Sequence, residues 1–262
     1  SRLNLAPDFQ TRNYAVGPDG KRYSLWGIGQ SLLFVPIIAI IAALGQLIPI
    51  SENLATLSGQ FAASTLVFPL IGAASVIAFD KLAKLLGHSV HVALAGALIW
   101  GFGTMALFNH ALSAQEQSQI ALILILSMIQ LIRIQTRRRF ADCLLLCILL
   151  GIGMVFRMDF LLAAITIYIA AVAIDLRQHR DPAATLKRWL LSAAIGILPF
   201  VAIILWYNYA RFGSIFENGN FRAADRIMAG QGLFSAPPLQ TLAAMLISPG
   251  KGLLFYNPIL LL

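Results

Sequence analysis

Charge is scarce in this sequence. Only 11% of its 262 residues are Asp, Glu, Lys or Arg, against roughly 25% in ordinary soluble domains. Acids are scarcest, 11 against 19 basic residues, for a net charge of +8. A soluble domain so poor in charge and 59% hydrophobic would have little polar surface to show water. Nucleic-acid binding needs the basic residues gathered on one face; here they lie between apolar segments, so that class is excluded. Cysteine is nearly absent. Cys143 and Cys147 stand four apart within one apolar segment, too few ligands for a metal site, and they read as small packing residues. No cleavable signal sequence is visible, and no convincing repeat or low-complexity tract.

What the chain does have is apolar runs. Crossing a ~30 Å hydrocarbon core takes roughly 20 helical residues. Candidate segments are 30–50, 57–79, 89–109, 118–134, 141–156, 160–175 and 189–208, with a further one starting near 253. The expected fold is therefore all-α, a polytopic transmembrane helical bundle. Residues 1–28 precede it, 209–252 form a long connection, and 253–262 begin another helix. The chain opens on Ser1 and stops at Leu262 inside an apolar run, as a fragment of a longer protein would.

Basic residues set the orientation. Lys81 and Lys84 lie in one connection, Arg133 and Arg137 to Arg139 in a second, and Arg177, Arg180, Lys187 and Arg188 in a third. These alternate with connections at 109–117 and 157–159. Placing the basic set in the cytoplasm makes every span from 57 to 208 consistent and leaves 209–252 outside. Segment 30–50 stays open. It either spans, leaving 1–28 inside, or re-enters or lies at the interface, leaving 1–28 outside; Pro36 and Pro49 are able to kink it. Segments 141–156 and 160–175 meet at Arg157-Met158-Asp159. A continuous helix would bury that trio at about 2.5–3.5 kcal/mol per charge, so two short helices meeting at a polar surface are expected. In the long connection, Pro237-Pro238 opens a short apolar stretch through Ile247 that suits a helix lying on the membrane surface.

Four polar groups fall on the expected outer face. One is Asp19-Gly20-Lys21-Arg22-Tyr23-Ser24 with Gly29-Gln30-Ser31; a plain hairpin would explain its Asp-Gly. Another is Asn109-His110 with Glu116, which reads either as a functional acid or as a solvated loop acid. A third is Arg157 with Asp159, either neutralising each other across a tight turn or forming an intramembrane functional pair. The last is Ser248-Pro249-Gly250-Lys251-Gly252 leading to Tyr256-Asn257-Pro258, a glycine-freed backbone beside a point charge or an ordinary loop-to-helix junction. Arg157 and Lys251 stand where the positive-inside rule disfavours cations, which calls for an anionic partner.

The Asp-Gly-Lys-Arg-Tyr-Ser…Gly-Gln-Ser-Leu-Leu stretch resembles the first outer-loop region of bacterial C-type (GT-C) membrane glycosyltransferases. So do Arg157 after a Gly-containing helix (Gly151, Gly153) and Ser-Pro-Gly-Lys-Gly-Leu-Leu-Phe-Tyr-Asn-Pro. The protein mannosyltransferase and aminoarabinose transferase branch is the nearest in character. That resemblance implies a transferase in a bacterial inner or plasma membrane. It would take a sugar from a polyprenyl-phosphate-linked donor to a lipid, glycan or protein acceptor. The family's outer-loop acidic pair would fall before Ser1. By the same resemblance, Glu116 is the nearest acid for a catalytic role, and Arg157 and Lys251 face the donor phosphate. Asn109, His110, Asp159, Ser248 and Tyr256 would line the pocket. Many relatives need a divalent metal (Mg or Mn) and others do not. The family pattern also puts residues 1–28 outside. A transporter or lipid flippase is the alternative, though transporters often carry inverted repeats, and a non-catalytic scaffold is a third reading.

Overall fold

A computed structural model describes residues 14–24, 27–45, 52–104, 116–137, 139–178 and 181–217, with the isolated positions 219, 243 and 246. Its elements are β1 (Tyr14–Val16), β2 (Arg22–Ser24), α1 (Ile28–Gly45), α2 (Glu52–Leu85), α3 (Val90–Phe102), α4 (Gln117–Arg137), α5 (Phe140–Phe156), α6 (Phe160–Gln178), α7 (Pro182–Gly196) and α8 (Leu198–Phe212). Contacts divide the chain into two units, Ser1–Trp26 with Ile204–Leu262, and Gly27–Ile203.

The larger unit is a helical bundle turned inside out relative to a soluble protein. Ser75, Ser118, Ser127 and Ser192 are fully buried, while Leu162 is 75% and Ile77 70% exposed. Water would punish that distribution; a hydrocarbon solvent rewards it. Gln117–Arg137, Phe160–Gln178 and Pro182–Phe212 are long and apolar enough to cross a membrane, with Val90–Phe102 and Phe140–Phe156 as shorter apolar helices. The chain is a multi-pass membrane protein.

Helix ends differ from the sequence expectations for identifiable reasons. The 57–79 segment belongs to a 34-residue helix, α2. Its last turns keep their charges helical through an Asp80–Lys84 ion pair of 2.7 Å, spaced four apart as helix-surface pairs must be. The 89–109 segment opens with Ser89, whose hydroxyl accepts from the Val92 N–H, and its helix ends at Phe102 with the Gly103 N–H bonded to the Ile99 carbonyl. The 160–175 helix runs one turn further, to Gln178. The single 189–208 segment is two helices broken at Ile197. Pro199 has no N–H to give the preceding turn, so Phe200 and Val201 both donate to the Ile197 carbonyl instead. α7 also starts earlier, at Pro182, capped by Asp181 accepting from the Ala184 N–H at 3.0 Å. By contrast α1 passes through Pro36 unbroken for 18 residues, ~27 Å of helix. Pro49, the Pro237–Ile247 stretch and the helix from 253 lie outside the described residues.

Helix α5 packs against α1, α4, α6 and α7, and small residues allow it. A Cβ on Gly196 of α7 would sit 2.7 Å from the Cys147 Cβ and 2.9 Å from the Ile148 nitrogen; one on Gly151 would meet the Gly196 carbonyl at 2.7 Å. Both cysteines are free and buried, as packing residues should be. In lipid, where apolar burial gives no net drive between helices, such close backbone approach is the main source of attraction.

The smaller unit holds a β-hairpin pairing Tyr14↔Ser24, Ala15↔Tyr23 and Val16↔Arg22. Its turn uses Gly20 at φ +73, a left-handed conformation that glycine adopts without strain. Asp19 accepts from the Lys21 N–H and from the Tyr23 hydroxyl at 2.8 Å. Ala15 and Tyr23 pack on Phe212, at the end of α8.

Gly196→Leu should cost about 1–3 kcal/mol by overpacking, seen as a lowered thermal midpoint in detergent. Leu190→Ala, on the exposed face of the same helix, should leave the midpoint unchanged. Equal midpoints for Gly196→Leu and wild type would contradict the close α5–α7 approach.

Candidate functional site

The larger unit brings three of the sequence candidates to one end of the bundle. α5 terminates at Arg157, whose backbone is extended (φ −142, ψ 126) and whose N–H bonds to the Gly153 carbonyl. The ring of Phe160, the first residue of α6, lies against Gly153 and closes the turn. Arg157 then folds back on Asp159. Its Nε donates to one carboxylate oxygen at 2.9 Å and its Nη2 to the other at 2.5 Å. The two side chains neutralise each other across the turn, as the first of the two sequence readings has it.

Glu116 joins this pair. It stands one residue before α4, its carbonyl accepting from the Ile120 N–H, and it is only 5% exposed. The solvated-loop reading of this acid is therefore overturned. Burial pushes its carboxyl up to about 7; Arg157 pulls the other way, and Asp159 adds to the rise. Glu116 and Asp159 in turn hold the Arg157 guanidinium above its ordinary range, chiefly through the Asp159 hydrogen bond.

The head of α1 arrives at the same end. A Cβ on Gly27 would lie 2.5 Å from the Val155 carbonyl oxygen, and one on Gly29 would lie 3.0 Å from the Phe156 Cα. These glycines let α1 begin directly beside the residues that precede Arg157. The Gly29-Gln30-Ser31 group and the Arg157–Asp159 group are thereby neighbours, Gly29 lying against Phe156, 127 positions further along the chain.

No family model, curated protein or solved structure matches this chain. Its chemistry must be read from its own side chains.

The other candidates are placed elsewhere. Asp19, Lys21 and Tyr23 form the hairpin turn of the smaller unit; the Tyr23 hydroxyl holds the Asp19 carboxyl below its ordinary range. Asn109, His110, Ser248, Lys251 and Tyr256 lie outside the described residues. Among the described residues no group of three or more His, Cys, Asp or Glu is arranged to hold a metal ion.

Sequence reading missed a second charged constellation. Asp175, 2% exposed, accepts from Arg188 Nη2 and from the Trp189 indole N–H at 2.7 Å, while the Tyr168 hydroxyl donates to the Trp189 carbonyl. The signal was legible: Phe160, Ala164, Ile167, Ala171 and Asp175 recur at the helical spacing of one buried stripe. Counting Arg188 among the loop charges hid its partner. Along α6 this cluster stands ~24 Å from Asp159 by helical rise, at the opposite end. It joins α6 to α7 and is a structural staple. Gln130 plays a similar part between α4 and α5, donating to the Asp142 carbonyl and carboxylate.

A carboxyl near neutrality within the electrostatic reach of a guanidinium is able to exchange a proton and to meet an anion. Because the folded state raises the Glu116 value from 4.5 to about 7, its contribution to stability is full below pH 4.5 and is lost as pH rises through 7. Wild-type protein should thus lose stability across that window. Glu116→Gln should match wild type at pH 4 and exceed it at pH 8, by roughly 3 kcal/mol at most. Thermal unfolding of both proteins in detergent checks this; parallel pH curves would mean that Glu116 titrates as an ordinary acid.

Proposed function

We propose that this membrane protein is a glycosyltransferase of the C type, moving a sugar from a polyprenyl-phosphate-linked donor to a lipid, glycan or protein acceptor at the outer face. The observation that carries this reading is the convergence of Glu116, Arg157 and the head of α1 at the end of the bundle opposite Lys84, Arg137 and Arg139. A cation and a proton-accepting carboxyl, coupled electrostatically at one end of the bundle and away from the basic loops, are the two charges that such a transfer requires.

In the proposed step, the acceptor hydroxyl attacks the anomeric carbon. The bond from that carbon to the phosphate oxygen breaks, and its electron pair leaves with the lipid phosphate. Arg157 meets the charge growing on the phosphate, where a fixed donor in a water-poor site is worth more than in water. The first backbone N–H groups of α1 add their dipole at the same end. Glu116 takes the hydroxyl proton; a carboxyl whose affinity for protons lies near the working pH is suited to that exchange. Lys251 would supply a second charge for the phosphate, and Asn109, His110, Ser248 and Tyr256 would line the pocket, by the family resemblance alone. A divalent metal, where relatives use one, would assist the same leaving group.

One observation favours a second reading, a transporter or lipid flippase. Gln119 and Ser127 are buried along one membrane-spanning helix, and intramembrane polar residues often mark a path. Movement of substrate across proteoliposomes without sugar transfer would establish that alternative.

The test is sugar incorporation from labelled polyprenyl-phosphate donors by the full-length protein in proteoliposomes. Arg157→Ala should lower kcat by about 10²–10³, the usual cost of one charge-stabilising donor, and Glu116→Gln by about 10²–10⁴. Unchanged turnover in both variants would sink the site assignment.

A further inference from the structure

Asp159 sits where a helix cap belongs and does not act as one. Asp at the position before a helix ordinarily accepts from the N–H groups of the first turn. This chain uses that device elsewhere, since Asp181 caps α7 and Ser89 caps α3. At α6 the first-turn N–H groups bond to backbone carbonyls: Phe160 to Arg157, Leu161 to Met158 and Leu162 to Asp159. Both Asp159 carboxylate oxygens go to the Arg157 guanidinium instead.

Stability does not explain the choice. The Asp159 side chain is 64% exposed and that of Arg157 33%, so even in bidentate geometry the pair adds only about 1 kcal/mol, no more than the cap it replaces. Geometry offers another reason. A guanidinium carries five N–H donors in a rigid planar fork. Asp159 engages the Nε–Nη2 edge, which fixes the plane of the fork and leaves one Nη1 hydrogen and the second Nη2 hydrogen side by side on the Nη1–Nη2 edge. That edge matches the spacing of two phosphate oxygens. A lysine would offer a point charge with no such direction.

We infer that Asp159 is a positioning residue, holding the Arg157 fork so that its Nη edge is presented to a phosphate group. The inference rests on the phosphate-donor reading above and deepens it. Asp159 itself touches no substrate; its effect reaches the phosphate only through Arg157.

The experiment is a double-mutant cycle on binding of a polyprenyl phosphate to the full-length protein in nanodiscs, with thermal unfolding run in parallel. Asp159→Asn should weaken binding about tenfold with the thermal midpoint unchanged, and Asp159→Glu should recover much of the loss. Arg157→Lys should weaken binding at least as much, and adding Asp159→Asn to it should cause no further loss, because the held fork is already gone. Wild-type affinity in Asp159→Asn beside a weak Arg157→Ala would overturn the positioning role and leave the phosphate site standing. Additive losses would also overturn it, since Asp159 would then act independently of Arg157. Wild-type affinity in Arg157→Ala would remove the phosphate site, and the transferase reading with it. Should Asp159→Asn fail to fold, the Asp159→Glu and Arg157→Lys arms decide the matter: equal wild-type affinity in both overturns the positioning role, and loss confined to Arg157→Lys supports it.

Discussion

The close approach of backbones around α5 is the constraint from which the rest of the larger unit follows. A bilayer supplies no hydrophobic drive to bring apolar helices together, so contact depends on how near their backbones come. Gly151, Cys147 and Gly196 remove side-chain bulk where α5 meets α7, and Gly27 and Gly29 do the same where α1 meets the end of α5. α5 thereby becomes the post on which four other helices lean. Arg157 caps its C-terminal end, so whatever fixes α5 also fixes the backbone from which the guanidinium reaches Asp159.

Within that frame, polar side chains act as staples. Gln130 reaches Asp142 between α4 and α5, and Asp175 gathers Arg188 and Trp189 between α6 and α7. Each joins helices that sequence places next to one another. Lipid offers no replacement hydrogen bonds, so these contacts hold register as much as they hold energy. Glu116 differs from them. Its burial leaves it with a proton affinity near neutrality and a cation nearby, a state that serves exchange better than attachment.

Much of the architecture was legible from the residues. Long apolar runs gave the membrane class, and Arg157-Met158-Asp159 gave the break between α5 and α6, because two charges so close together are costly inside a continuous span. The Asp19-Gly20 pair announced its hairpin through turn chemistry alone. Less legible were features set by contact. Nothing local distinguishes a buried Glu116 from a solvated one. Nor does periodicity show that Gly29 lies against Phe156, since that meeting depends on two helices far apart in the chain. The break at Ile197 was written in Pro199 but outweighed, in a hydropathy reading, by the apolar residues around it. Half of the candidate site was visible as types of residue; their convergence was not.

The Asp175–Arg188 pairing bears on biogenesis. If α6 partitioned into lipid by itself, it would carry a bare carboxylate on its inward stripe, and α7 alone would carry a bare guanidinium. Joined by the short link 179–181, the two helices cancel those charges against each other. The two helices are therefore suited to enter the membrane together, as a hairpin whose charges are already matched.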